Sequence, residues 1–458
     1  MRAFARQMAE RMKAVAAAGA VAAFWLAVWV LVAGLVAQPL ILPGPGAVVV
    51  ALLRLVCDAG TWAILAGSGA RILGGLALAA VCGVVMAGAS VRSLTFARLV
   101  APAPSFVKAT PVACVVVLLL IWLGSARVSI AAVFLMALPG VYFSLVEGLT
   151  QVDQSLEQMF HLHGVRGWRL FCAHTWREVL PFVLSCARAV IGMSWKAGVA
   201  AELIGMATGT VGERIYQAKL LIETADLLAW TVLVVAASWA CERVLVWLLR
   251  ASGPVAWRTA VRAHGHGLRG RTGAASDGAA AELALAVGDR APWAPALDGL
   301  VLHVPAGGRT CVMGASGVGK STLLALAAGE CAPCSMVFQD ACLVEGASAL
   351  DNVLVCADAR VDASSATALL RRLVPGIDVH ARVAELSGGQ RRRVEIARAL
   401  LCGGCAVILD EPFTGLDASA RDATAEAVLD LLDGRMLLLA THDVTDVQVL
   451  DISDVIAL

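Results

Sequence analysis

The chain has 458 residues, of which 59% are hydrophobic and 16% charged, and its formal net charge is +1. Ordinary soluble domains carry about 25% charged residues, so the composition excludes a wholly soluble protein and implies a membrane component. The near-neutral charge supplies no field for nucleic acid, and thirteen cysteines scattered over so long a chain do not make a small secreted disulfide scaffold.

Arg2, Arg6, Arg11 and Lys13 precede Ala14–Ala37, an uncharged run long enough to span a bilayer. A signal peptide is the rival reading, although its apolar region should be shorter. Pro39, Pro43 and Pro45 mark a loop. Further spans are expected at Ile72–Val91, at Pro111–Gly124 with an extension back through Phe106, at Val128–Val146, at Pro181–Met206 and at Leu227–Leu249. Six spans put both ends on one side. Lys and Arg number four in 1–13, three in 92–108, three in 147–181 and five in 250–271. On the other side there are two in 38–71, Arg127 alone, and two in 207–227. The positive-inside bias therefore places both termini in the cytoplasm. The fifth span carries Arg188, Lys196 and Glu202, which either line a polar path or snorkel from a helix that starts later.

Residues 251–280 change character, with repeated Gly and Ala among Arg258, Arg262, His264, His266, Arg269 and Arg271. A flexible basic linker is expected, lying between a permease-like region 1–250 and a globular region 281–458.

Gly314-Ala315-Ser316-Gly317-Val318-Gly319-Lys320-Ser321 fits G-x-x-x-x-G-K-[ST]. It follows a strand-like run, Thr310–Met313, and opens a helix-like run from Thr322, which is the context a phosphate-binding loop needs. Glycines let backbone N–H groups close around phosphates at a helix N-terminus. Lys320 is expected to reach the β- and γ-phosphates, and Ser321 to hold Mg²⁺. Four more features follow: Phe338-Gln339-Asp340; Leu386-Ser387-Gly388-Gly389-Gln390 ahead of a basic helix; Ala406–Leu409 ending in Asp410-Glu411-Pro412; and Thr441-His442-Asp443 after another apolar strand.

Over residues 281–458 this set resembles the ATP-binding cassette (ABC) ATPases. The resemblance implies an α/β P-loop NTPase binding ATP and Mg²⁺. It makes Asp410 the carboxylate that supports the metal and Glu411 the general base. Gln339 becomes the Q-loop residue, sensing nucleotide at the Mg²⁺ and touching the membrane partner. His442 becomes the switch histidine on the γ-phosphate, and Gly415-Leu416-Asp417 the D-loop. Ser387, Gly388, Gly389 and Gln390 would bind the ATP held by a second copy of the chain. Trp293 is the candidate for stacking on adenine. The Lys320–Gln339 interval is short for the family, which suggests a trimmed β-hairpin. The end at Leu458 leaves no room for a regulatory domain. Cys331/Cys334 and Cys402/Cys405 form two Cys-x-x-Cys pairs at the sheet end away from ATP, either reduced or as a Cys₄ zinc site.

The N-terminal half resembles the permeases of binding-protein-dependent importers, nearest the nitrate/sulfonate/taurine group. The matching stretches are Ile41–Pro45, Pro111–Gly124 and Gly192–Glu202, with a coupling-loop pattern over Glu157–Pro181. The resemblance implies an all-α membrane domain fused to its ATPase. Such a chain would work as a homodimer in the cytoplasmic (inner) membrane bilayer, with the ATPase inside and an extracytoplasmic solute-binding protein as partner. An exporter and a non-transporting ATP-gated sensor are the alternatives. Within the coupling loop Trp168 is expected to anchor in a pocket of the ATPase.

Overall fold

A computed structural model describes residues 2–263, 282–287 and 294–458. The chain divides into two compact units, Met1–Thr150 with Val179–Arg250, and Gln151–Glu178 with Ala251–Leu458.

The first unit is entirely helical. Among the described residues five helices are long and apolar enough to cross a membrane, and a bent pair would make a sixth. The expected all-α arrangement of about six spans is therefore present, with different bounds. The second span begins well before Ile72, as Ala59–Arg92, because Asp58 caps it by accepting from the Gly60 and Thr61 N–H groups. The third is not one straight helix. Leu94–Ala109 and Val112–Leu123 meet at 107°, where Pro111 lacks a donor and biases Thr110 away from helical geometry. Arg127 lies inside the fourth helix, Ser125–Thr150.

Ala59–Arg92 and Ser125–Thr150 pack closely because glycines sit between them. A Cβ at Gly75 would stand 2.5 Å from the Ile130 carbonyl oxygen, and one at Gly83 2.6 Å from Val141 Cγ1. Small residues are how apolar helices approach within a bilayer, where burial alone supplies little drive. The fifth span is helix Trp176–Gly205. Its Glu202 is fully buried. It accepts from Ser68 Oγ at 2.8 Å, from the Gly212 N–H at 3.4 Å and from Arg71 Nε at 3.2 Å. That acid is neither snorkelling nor exposed; it is the centre of an inter-helix network. Arg188 and Lys196 on the same helix are exposed.

Among its described residues the second unit holds seven strands: β1 Leu283–Ala286, β2 Val301–Val304, β3 Arg309–Met313, β4 Ser335–Val337, β5 Ala406–Asp410, β6 Met436–Thr441 and β7 Asp454–Ala457. β1 and β2 pair antiparallel, while the others form a parallel sheet in the order β4-β5-β6-β3-β7. Every residue of β5 and β6 is buried, as expected of parallel strands covered on both faces. β4 follows helix Lys320–Glu330 after only a short turn, in line with the trimmed hairpin.

The same unit includes the segment between the fourth and fifth spans. Asp153 caps helix Gln154–Leu162. Met159, Phe160 and Val165 are completely buried in a cluster with Cys342, Val344, Ala347 and Cys356. The Cys334 N–H donates to Leu162 O at 3.0 Å, and Arg169 Nη2 to Val355 O at 2.5 Å. The expectation for Trp168 is overturned. It is 72% exposed and stacks on Phe171, with centroids 5.0 Å apart. Phe160, in the last turn of the amphipathic helix, is the anchor. His163 is also buried; its Nδ1 bonds Met159 O at 2.7 Å, and burial lowers its pKa to about 3.

The expected flexible linker is helical at its start, since helix Thr224–Arg262 runs through residues 251–262. Within the unit, Trp257 donates to Asp351 Oδ2 at 3.2 Å and carries the Arg177 guanidinium over its ring. His264, His266, Arg269 and Arg271 lie outside the described residues.

Candidate functional site

Parallel strands deliver their C-terminal ends to one edge of a sheet, which is where α/β proteins bind ligands. Here β3, β5 and β6 each run directly into a motif. β3 feeds the loop 314–319. Gly317 and Gly319 have φ of 84° and 112°, left-handed values that an L side chain resists. Gly314 has no room for a Cβ, which would lie 2.9 Å from Leu458 O. That crowding arises because Leu458 N–H, at the end of β7, donates to Met313 O at 2.7 Å. Ser316 lies in the loop, and Lys320 and Thr322 in the first turn of helix Lys320–Glu330.

The buried Lys320 ammonium curls back over the loop, donating to Gly314 O at 2.8 Å and Ala315 O at 3.0 Å. A phosphate is the natural replacement for those carbonyls, since it brings full negative charge to a desolvated cation. The Ser321 hydroxyl donates to the Asp410 carboxylate, so the two expected Mg²⁺ residues already meet. Burial raises the Asp410 pKa despite that bond, and Glu411 adds to the rise. A carboxylate kept dry next to a second one is electrostatically short of a cation. These residues fit Mg²⁺ and a nucleotide phosphate.

β5 ends at Asp410, and Glu411 turns away with φ 46° while its N–H donates to Ala440 O at 2.9 Å. β6 ends at Thr441, placing His442 Nδ1 3.2 Å from Glu411 Oε1. The expected base and the expected switch histidine thus lie within hydrogen-bond distance of each other. Gln339, after β4, is exposed and has no hydrogen bond among the described residues. Ser387 and Gln390 cap helix Gly388–Leu401 reciprocally, at 3.3 Å and 3.0 Å. Capping occupies Ser387 without hiding it; Ser387 and Gly388 remain exposed. Gly389 lets the D-loop close in, for its Cβ would meet Gly415 O at 3.3 Å and Leu416 at 3.2 Å. No described contact joins residues 387–390 to the phosphate loop. Trp293 lies outside the described residues.

The motifs miss one residue that holds the site together. Arg392 is buried and donates to the carbonyls of Phe338 and Asp410, to Glu411 O at 2.9 Å and to Pro412 O at 3.3 Å. It therefore fixes the chain on both sides of the Asp410 and Glu411 carboxylates. The available signal was the spacing Arg392-x-x-Glu395-x-x-Arg398, which places all three on one helix face.

At the opposite ends of β4 and β5 the cysteines sit as expected. Cys405 Sγ lies 3.6 Å from Cys331 O. Its hydrogen bond with the Cys331 thiol holds Cys405 below the ordinary thiol range and Cys331 above it. Among the described residues no group of three or more His, Cys, Asp or Glu is arranged to hold a metal.

Residues 79–255 match the model of the binding-protein-dependent transport system inner membrane component, and residues 297–414 that of the ABC transporter family. The chain is 36% identical over 174 residues to the aliphatic sulfonates import ATP-binding protein SsuB 1 of Rhizobium johnstonii, covering 33% of this chain and 63% of that one. It is 37% identical over 177 residues to the taurine import ATP-binding protein TauB of Chromobacterium violaceum, covering 33% and 68%. It is 37% identical over 175 residues to SsuB of Escherichia coli K12, covering 33% and 66%. The chain thus spans about two thirds of the length of these relatives. With an inner-membrane component and a nucleotide-binding cassette in one polypeptide, it belongs to the ABC transporter family.

Proposed function

We propose that two copies of this chain form an ATP-driven importer in the cytoplasmic membrane, taking a small solute from an extracytoplasmic binding protein. The observation that carries this is the burial of Met159 and Phe160, from the loop between two membrane spans, within the compact unit that holds the nucleotide motifs. A loop docked in that way ties nucleotide state to the membrane helices. The domain reading is a permease at 1–250, a connector at 251–280 that is helical through Arg262, and an ATPase at 281–458. Both termini and the ATPase face the cytoplasm. The names of the relatives direct the first uptake trials to aliphatic sulfonates and taurine.

In this reading the 314–319 backbone and Lys320 bind the phosphates of ATP. Ser321 and Asp410, with Gln339, hold Mg²⁺, which supplies charge neutralisation on the phosphate oxygens. Glu411 accepts the proton of the attacking water, and His442 orients it and reads the terminal phosphate. Ser387, Gly388, Gly389 and Gln390 of the second copy complete each site, and Trp293 packs on adenine. Binding closes the pair, and the Phe160 anchor pulls on the spans.

The test uses reconstituted vesicles. Glu411→Gln should bind Mg-ATP while hydrolysing it at least ~100-fold more slowly. Phe160→Ala should keep nucleotide binding and lose uptake, whereas Trp168→Ala should alter neither. Uptake that survives Phe160→Ala would overturn the docking role.

A further inference from the structure

The exposed residues of a lone membrane helix divide into those that face lipid and those that face water or another protein. On Ala59–Arg92 the exposed face is of lipid type, including Leu73, Leu78, Val81 and Val85. Helix Trp176–Gly205 differs. Between Pro181 and Lys196 its six exposed residues are Pro181, Ser185, Arg188, Ala189, Met193 and Lys196, and Ile204 near the C-terminal end is exposed as well. At 100° per residue they fall in one arc, while Val190, Ile191, Trp195 and Glu202 fill the opposite one. Only two of the six are sizeable and apolar, and two are cations.

Arg188 and Lys196 stand roughly 12 Å apart along the helix axis. Both lie within a few residues of the middle of the span, too deep for a snorkelling side chain to reach both water faces with ease. Neither has a hydrogen bond or ion pair among the described residues. The one acid on the helix beyond Pro181, Glu202, is turned away and committed to Ser68, Arg71 and the Gly212 N–H. An unpaired cation facing hydrocarbon is costly, and such residues mark polar paths. With two cations and no acid, the face is complementary to negative charge.

Resting on the transport reading above, we infer that Arg188 and Lys196 line the path of the transported solute and make that path selective for anions. Two copies of the chain would set two such faces around one path. The occupant is a small oxyanion-bearing solute, and Ala189 and Gly192 between the cations leave it space.

The test needs neither hydrolysis nor a known solute. Gly192 lies between the two cations, and a Cβ there would meet nothing within 4 Å. Gly192→Cys is therefore a compatible probe, with Ala189→Cys as a second. Vesicles holding the full chain are exposed on both sides to 2-sulfonatoethyl methanethiosulfonate or to its trimethylammonium counterpart. Labelling is read by mass spectrometry on the peptide that carries the new cysteine, apart from the native thiols. The anionic reagent should react at least ~10-fold faster than the cationic one. Adding Arg188→Gln and Lys196→Gln should bring the ratio close to one. Equal rates in the parent background would overturn the inference. So would probes at both positions that react only with a membrane-permeant maleimide, since the face would then lie against lipid. Charge-selective labelling in a chain that hydrolyses no ATP would sink the transport reading alone.

Discussion

Among the described residues each unit of this protein buries one glutamate completely, and the two are satisfied in different ways. Glu395, in the nucleotide-binding unit, accepts from the Cys342 N–H at 2.5 Å and from Arg392 at 3.1 Å, with Arg398 at 3.9 Å. Both arginines come from its own helix, three residues to either side. Glu202, in the membrane unit, draws on two other helices, Ala59–Arg92 and Val211–Leu220, and its arginine lies 131 residues earlier in the chain. The arginines of Glu395 also pass the fixation onward. Arg392 reaches four carbonyls about the catalytic strand ends, and Arg398 donates to Cys342 O at 2.6 Å. Arg71 passes nothing onward: its buried Nη2 has no partner among the described residues, and neither has the Nε of Arg398. One acid keeps a local scaffold rigid for chemistry, and the other sets where three helices meet.

Substitution can break this contrast. Glu395→Ala strands two buried cations, so it should cost about 3–5 kcal/mol in thermal or denaturant unfolding of the nucleotide-binding unit. Because Arg392 is displaced with it, ATP hydrolysis should fall as well. A variant with normal turnover would show that Arg392 holds the carboxylate strand unaided. Glu202→Gln keeps the shape and most acceptors but removes the charge opposite Arg71, which should cost about 1–3 kcal/mol. Nucleotide binding, followed with a fluorescent analogue, should not change. Pairing Arg71→Met with Glu202→Leu should recover most of that loss, since an apolar pair often replaces a buried ion pair without penalty. No recovery would mean that Glu202 acts chiefly through Ser68 and Gly212.

A third, smaller effect concerns a group buried neutral rather than charged. His163 has a folded pKa of about 3, against an ordinary 6.5, through desolvation and then the neighbouring Arg398. Below pH 6.5 the unfolded chain takes up a proton that the folded one refuses. Its stabilisation is therefore complete above pH 6.5 and is lost as pH falls from there toward 3, by up to about 1.4 kcal/mol per pH unit. His163→Gln keeps a donor for Met159 O and should flatten the melting curve of this unit between pH 7 and 5. An unchanged slope would assign the acid sensitivity elsewhere.

The contrast also explains what could be read in advance. The nucleotide motifs are contiguous and tied to strand ends, so the sequence located Lys320, Ser321, Asp410, Glu411 and His442, and the fold brings them to one sheet edge. Arg392-x-x-Glu395-x-x-Arg398 was equally local, yet it sat unnoticed inside a stretch read only as basic. Arg71–Glu202 was beyond reach, because nothing local links residues on different helices. The anchor was misjudged for another reason. Trp168 drew attention by size, whereas Leu156, Met159 and Phe160, at helical spacing, mark the apolar face that is buried. Composition likewise suggested a linker from 251, although Trp257, Ala260 and Val261 repeat at the same spacing and continue the helix.

The left-handed backbone at Glu411 has a consequence for anyone improving this protein. Its φ of 46° suits glycine or asparagine far better than glutamate, and a side chain held there stores about 1–3 kcal/mol. A screen that rewards heat tolerance alone should therefore gather glycine or asparagine at position 411, sturdier and, on the role proposed for Glu411, unable to hydrolyse ATP. Robustness and turnover pull in opposite directions at that one peptide unit, so any directed evolution of this chain has to score hydrolysis in every round.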